Sequence, residues 1–204
     1  MRINFGDTRV RINISFAAVI TSLLILDESG LCAIALFCCI IHETAHIVCL
    51  MFLGEKPALI ELSYYGIKLE RKPVSVSNGI GDIIVYSAGP AVNIVFAALL
   101  FWLYPESEKI RIAAAISLCT GIFNLLPCRP LDGGNILYAV LCRNTTEEKA
   151  EKICFGVLCT VLLPMASAGF VSALRYGNIS LCAAAFYVAA VSFFDKKEKG
   201  IIKL

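Results

Sequence analysis

"LCAIALFCCIIHETAHIVCLMFL", residues 31–53, decides how this chain folds. The run is apolar and long enough to cross a bilayer, which takes about 20 residues. Its middle nevertheless holds His42, Glu43 and His46, the only groups in it that charge near neutral pH, and the two histidines are the only ones in the chain. An ionisable side chain at the centre of a membrane helix costs about 2.5 to 3.5 kcal/mol on insertion scales. Three in one span are there for a purpose.

On a helix, positions i and i+4 share one face, so His42 and His46 can offer their rings to one metal ion. Glu43 is turned about 100° from His42, which places it beside such an ion rather than on it. This is the H-E-x-x-H arrangement of zinc-dependent hydrolysis, in which zinc lowers the pKa of its bound water to about 7 and the glutamate takes the proton. Cys39 and Cys49 extend the same stripe and raise the idea of a four-ligand structural zinc. Their separation of about 15 Å along the helix rejects it, because ligands sit only about 2 Å from the metal.

A catalytic zinc site takes three protein ligands and keeps one open position. The candidate for the third is Asp132 in "NLLPCRPLDGG", residues 124–134, where Pro127 and Pro130 end a helix and Gly133 and Gly134 permit unusual backbone. Irregular backbone at membrane depth is tolerated only where protein or a water-filled cavity surrounds it. Standing alone, Pro, Gly and Asp make an ordinary turn; next to an incomplete zinc site they read as a re-entrant loop that supplies the ligand.

The bulk composition agrees with a membrane protein: 58% hydrophobic and 17% charged over 204 residues, with a mean hydropathy of +0.78. Apolar stretches at about 12–26, 31–53, 83–103, 112–127, 153–171 and 178–194 predict six transmembrane helices. Basic residues gather in alternate polar segments, so the positive-inside rule puts both termini in the cytosol. With positive groups spread over loops, the net charge of +2 implies no nucleic-acid partner. The ten cysteines lie in or beside the spans and read as reduced packing residues. "ALIELSYYGIKLERK" alternates polarity around Gly66 and predicts a β-hairpin at the cytosolic edge over 58–72. Asn144, three residues before Glu147, reads as a helix cap.

Taken together, "HETAH", "NLLPCRPLDGG" and the intervening "SAGPAVN" (Ser87–Asn93) resemble the signatures of the site-2 protease family of intramembrane zinc metalloproteases. The likeness spans about residues 31–140. It is strongest to the stage IV sporulation protease FB branch, many members of which carry a C-terminal CBS domain; here neither a CBS nor a PDZ domain is expected. The resemblance implies one membrane protease domain over 1–204, all-α and polytopic, with its catalytic core at about 31–140. It implies that His42, His46 and Asp132 bind one Zn2+ per chain, with Glu43 as general base. Asn124 matches a family asparagine that orients the substrate or the ligand loop. Gly89 and Asn93 read as close-packing residues of the third span.

The implied activity is regulated proteolysis of a membrane-tethered protein, in the sporulation branch a sigma-factor precursor, at the cell membrane of a bacterium. The active site opens to the cytosol, the lipid bilayer surrounds the chain, and a membrane regulatory or inhibitory protein is a further expected partner. Two other classes compete. An intramembrane metal or proton transporter would use the same four residues as a relay, but no second copy of the broken loop provides the paired repeats of that class. A non-catalytic membrane-binding relative would have little use for Glu43.

Overall fold

The computed structural model describes every residue except 1, 6–7, 56, 64–65, 72–78, 130 and 199–204. The chain divides into two compact units, Met1–Asn124 and Leu125–Leu204.

The first unit opens with two short strands, β1 (Arg2–Phe5) and β2 (Thr8–Ile12), antiparallel with Arg2 opposite Arg11. This basic segment reads from sequence only as a topology signal. Two helices follow, α1 (Ile14–Leu26) and α2 (Leu31–Phe52), and then β3 (Pro57–Ser63) and β4 (Gly66–Arg71). β3 runs parallel to β2, so the chain crosses over through α1 and α2 between them, as a parallel pair requires. β4 pairs antiparallel with β3 in the segment read as a hairpin; Tyr64 and Tyr65 between them lie outside the described residues. The sheet order is β1-β2-β3-β4. The architecture is therefore α-helical with one four-stranded sheet.

The acidic loop between α1 and α2 caps the helix that carries the histidines. Asp27 accepts hydrogen bonds from the Ser29 hydroxyl (2.6 Å) and from the Cys32 amide (2.7 Å), and Gly30 takes the left-handed φ of 76° on which α2 begins. Cys38, His42, His46 and Leu50, four residues apart, form the buried stripe of α2. Cys39, expected on that stripe, is exposed, because the stripe lies one position away from the reading made on Cys39 and Cys49.

Helices α3 (Gly79–Leu103) and α4 (Glu108–Asn124) complete the unit and pack with α2. Small residues permit the approach. A Cβ on Gly121 of α4 would lie 3.0 Å from the Pro90 carbonyl oxygen of α3. Large apolar residues face outward instead, with Phe52 87% and Trp102 77% exposed, the reverse of a water-soluble core.

The second unit holds α5 (Asp132–Cys142), α6 (Glu147–Tyr176) and α7 (Ser180–Glu198). Thr146 stands at the N-cap of α6, not Asn144, whose amide instead closes a turn onto Leu141. At 1.5 Å per residue its 30 residues reach about 45 Å, well beyond the roughly 30 Å of a hydrocarbon core. The expected span 153–171 is its middle. Gly169 lets α6 close on α7, since a Cβ there would lie 2.8 Å from the Cys182 nitrogen.

Among the described residues three helices, α2, α3 and α6, are long and apolar enough to cross a membrane. The apolar parts of α1 and α7 are shorter, and α4 has 17 residues, about 26 Å. All ten cysteines are free thiols.

Candidate metal centre

Helix α2 places His42 and His46 one turn apart, 4% and 7% exposed, with their Nε2 atoms 3.1 Å from each other. Two imidazole nitrogens on one tetrahedral zinc, each at about 2.0–2.1 Å, lie about 3.3 Å apart. The pair fits a single ion.

A ring nitrogen binds metal only through its lone pair, so the proton must sit on the other nitrogen. For His46 that is arranged by α3: Nδ1 lies 2.7 Å from the Val85 carbonyl oxygen, which can only accept. His46 therefore carries Nδ1–H, and Nε2 keeps its lone pair. Sequence gives no sign of this partner, because it is a backbone group of an apolar residue.

Gly89, one turn beyond Val85, lies against both rings. A Cβ there would come within 2.7 Å of His42 Nε2 and closer still to His46 Nε2. Any larger residue would occupy the space the two nitrogens face. The expectation of a packing glycine thus gains a sharper meaning: the small residue keeps the mouth of the histidine pair clear.

Asn93 is fully buried one turn further along α3, with Nδ2 3.4 Å from His42 Nδ1. Its backbone carbonyl receives the Ser117 hydroxyl of α4 at 2.9 Å. Ser117, also fully buried, escaped the sequence reading although a hydroxyl in an apolar helix was the available signal. Glu43 is half-buried on the neighbouring face of α2. Thr44, inside the motif, bonds its own helix at the Ile40 carbonyl (2.7 Å), which accounts for a hydroxyl there without a role in the site.

Asn124 ends α4, and its amide donates to the Thr120 carbonyl at 3.1 Å, one turn back. Asp132 belongs to the second unit. It is the first residue of α5 rather than part of an irregular loop, and the irregular backbone is confined to the residues before it. Those residues fold onto the helix start: Leu131 N bonds Cys128 O (2.8 Å) and Asn135 N bonds Leu131 O (3.0 Å). Gly133 and Gly134 are required by this contact and not by unusual torsions, since neither has positive φ. A Cβ on Gly133 would lie 2.6 Å from the Leu126 oxygen and overlap the Leu125 oxygen; one on Gly134 would meet Cys128 and Arg129. Arg129 fixes the loop from outside, with its guanidinium 4.2 Å over the Tyr138 ring, Nε on Asn135 Oδ1 (3.3 Å), and its carbonyl taking the Ser192 hydroxyl.

The model of Peptidase family M50 matches residues 107–165, the part containing Asn124 and Asp132 but not the histidines. A curated zinc metalloprotease from Methanocaldococcus jannaschii is 27% identical over 182 residues, covering 78% of this chain and 49% of the relative. The chain thus spans about half the length of that protein. A solved structure described as a site-2 protease from the same organism superposes with a TM-score of 0.70, covering 100% of this chain and 97% of the other at 22% identity. The last finding establishes a shared fold. The sequence matches are a likeness to Peptidase family M50 over part of the chain and to the zinc metalloprotease over most of it.

Proposed function

From that likeness and the histidine geometry we propose that the chain is an intramembrane zinc metalloprotease. The observation that carries the reading is the buried pair of imidazoles 3.1 Å apart, one of them held by a backbone carbonyl in the metal-binding tautomer. Asp132 is the third ligand on this reading, with one zinc per chain. When bound, zinc makes a water molecule acidic enough to attack a peptide carbonyl near neutral pH.

The chain's own residues do the rest. Glu43, next to His42 but rotated off the ligand face, takes the proton of the attacking water and passes it to the leaving nitrogen. Val85 holds the His46 ring, Gly89 leaves the substrate side open, and Asn124 steadies the approach to the ligand loop. Helical carbonyls are hydrogen-bonded and shielded, so the substrate must present an extended segment. In the sheet β1 and β4 are the outer strands, and the edge of β4, in the hairpin that follows the histidine helix, is where a substrate strand would pair. Proline substitutions along β4 should lower cleavage, and unchanged cleavage removes the edge from the mechanism.

The lipid bilayer is the setting, with six spans, cytosolic termini and a cytosolic opening supported by loop charge. The substrate is a membrane-tethered protein. Resemblance to the sporulation branch makes a sigma-factor precursor the first one to try, and a membrane regulatory protein the first partner to seek.

The test is Glu43→Gln co-expressed with membrane-tethered substrates, with bound zinc measured in parallel. Zinc retained and cleavage lost is the expected pair of results. Unchanged cleavage removes Glu43 as the base.

A further inference from the structure

Within the second unit, the guanidinium of Arg129 is gripped on one face and left open at its fork. It lies 4.2 Å over the Tyr138 ring, its Nε donates to Asn135 Oδ1 at 3.3 Å, and the backbone carbonyl of the same residue accepts the Ser192 hydroxyl. Residue 129 is therefore fixed from both α5 and α7. These contacts use the face of the guanidinium and one of its five N–H donors. The donors on the two terminal nitrogens have no partner among the described residues; the ion pair found there, Lys152 with Glu148, is on the exposed face of α6. Arg129 is half-buried, so water serves those N–H groups only in part. A planar fork held by stacking is the geometry that takes both oxygens of one carboxylate or phosphate.

The position of the fork limits what can reach it. On the zinc reading Asp132 holds the ion, and Tyr138 stands six residues after it in α5, about 9 Å along the helix axis. An extended chain rises about 3.3 Å per residue, so it covers that distance in about three residues. A substrate strand lying across the metal would thus bring a nearby side chain to the fork. A lipid phosphate offers the same pair of oxygens, but Arg129 belongs to the turn folded onto the helix start, between the buried Cys128 and Leu131, and not to the outward apolar surface.

We propose that Arg129 is a specificity-determining residue, whose fork binds the carboxylate of an Asp or Glu in the substrate about three residues from the bond that is cut. The inference rests on the protease reading above and names the substrate class of that same site: tethered segments with an acid close to the cleavage position. Tyr138 and Asn135 hold the guanidinium in place for it, and the two terminal nitrogens do the recognition.

The test uses the zinc-loaded full chain carrying Glu43→Gln, so that it binds without cutting, in maltoside micelles. The probes are short fluorescent apolar peptides with one Glu, or Gln in its place, moved position by position. Anisotropy should show the Glu peptide bound about 10–100-fold tighter than its Gln partner when the residue stands at one position. The preference should vanish on adding Arg129→Gln and survive in part with Arg129→Lys, which keeps the charge and loses the fork. No preference for Glu at any position, or one that Arg129→Gln leaves intact, overturns the assignment. Each ratio compares two peptides on one protein, so general damage to the turn cancels; should Arg129→Gln fail to fold, the ratios with Arg129 and with Arg129→Lys decide. A preference erased by added phosphatidylglycerol gives the fork to lipid phosphate and overturns it too. With Glu43 restored, the cut should fall about three residues from the preferred Glu, and a cut elsewhere overturns the placement. Preferential binding without any cutting would count against proteolysis alone.

Discussion

The histidine pair of α2 and the proline-glycine segment before α5 both depend on glycines that admit no Cβ, yet they use the space in opposite ways. At Gly133 and Gly134 the room is filled by backbone, whose carbonyls and amides close a tight turn onto the helix start. At Gly89 the room faces two ring nitrogens, and next to it lies an amide oxygen with no partner among the described residues. One region is saturated and structural. The other presents two ring nitrogens to a space that any side chain at residue 89 would fill.

That contrast can be broken by substitution. Gly133→Ala carries the largest expected cost, about 3 kcal/mol, at the upper end for overpacking because the blocking atoms are backbone. It should lower Tm and remove hydrogen-exchange protection at Leu131 and Asn135, while the α3 amides stay protected; an unchanged Tm would show that the turn relaxes freely. Gly89→Ala should weaken zinc binding about 10–100-fold and lower Tm as well, since the obstructing atoms belong to buried rings, one of them held by the Val85 carbonyl. Wild-type affinity there would mean the space is not the mouth of the site.

Ser117→Ala sharpens the comparison by testing the support behind Asn93. Loss of one buried hydrogen bond should cost about 1 kcal/mol in thermal unfolding, and no change would remove Ser117 from the account. Asp27 has the smallest expected effect. The Ser29 hydroxyl holds its carboxyl below the ordinary value; desolvation opposes it, and the Cys32, Ser29 and Ala33 amides add to the lowering. Because the folded value is the lower one, its contribution is complete above the unfolded pKa and disappears as pH falls through the folded pKa. The Tm difference between wild type and Asp27→Asn should therefore shrink only on strong acidification. A constant difference would exclude the charge as its source.

What was legible in the sequence follows from range. His42, Glu43 and His46 are readable because helical spacing alone puts them together, and Gly89 is readable as a small residue within an apolar span. The role of Asn93 is not, because it depends on the rotation of α3 against α2. The Val85 carbonyl is invisible to any side-chain pattern. Strands β1 and β2 were missed because an arginine-rich lead reads as charge before it reads as alternation. Helix α5 was missed because Pro127, Pro130, Gly133 and Gly134 together signal a turn, whereas the two glycines are helical and serve close approach.

The central claim is that zinc sits on His42 and His46 with oxygen completing the set, in a chain that also offers ten free thiols. X-ray absorption at the zinc edge of the metal-loaded protein tests it most directly. The account predicts nitrogen and oxygen neighbours at about 2.0–2.1 Å with the scattering of two imidazoles, lost in His46→Ala. A sulfur neighbour at about 2.3 Å, or a spectrum unchanged by His46→Ala, would contradict it.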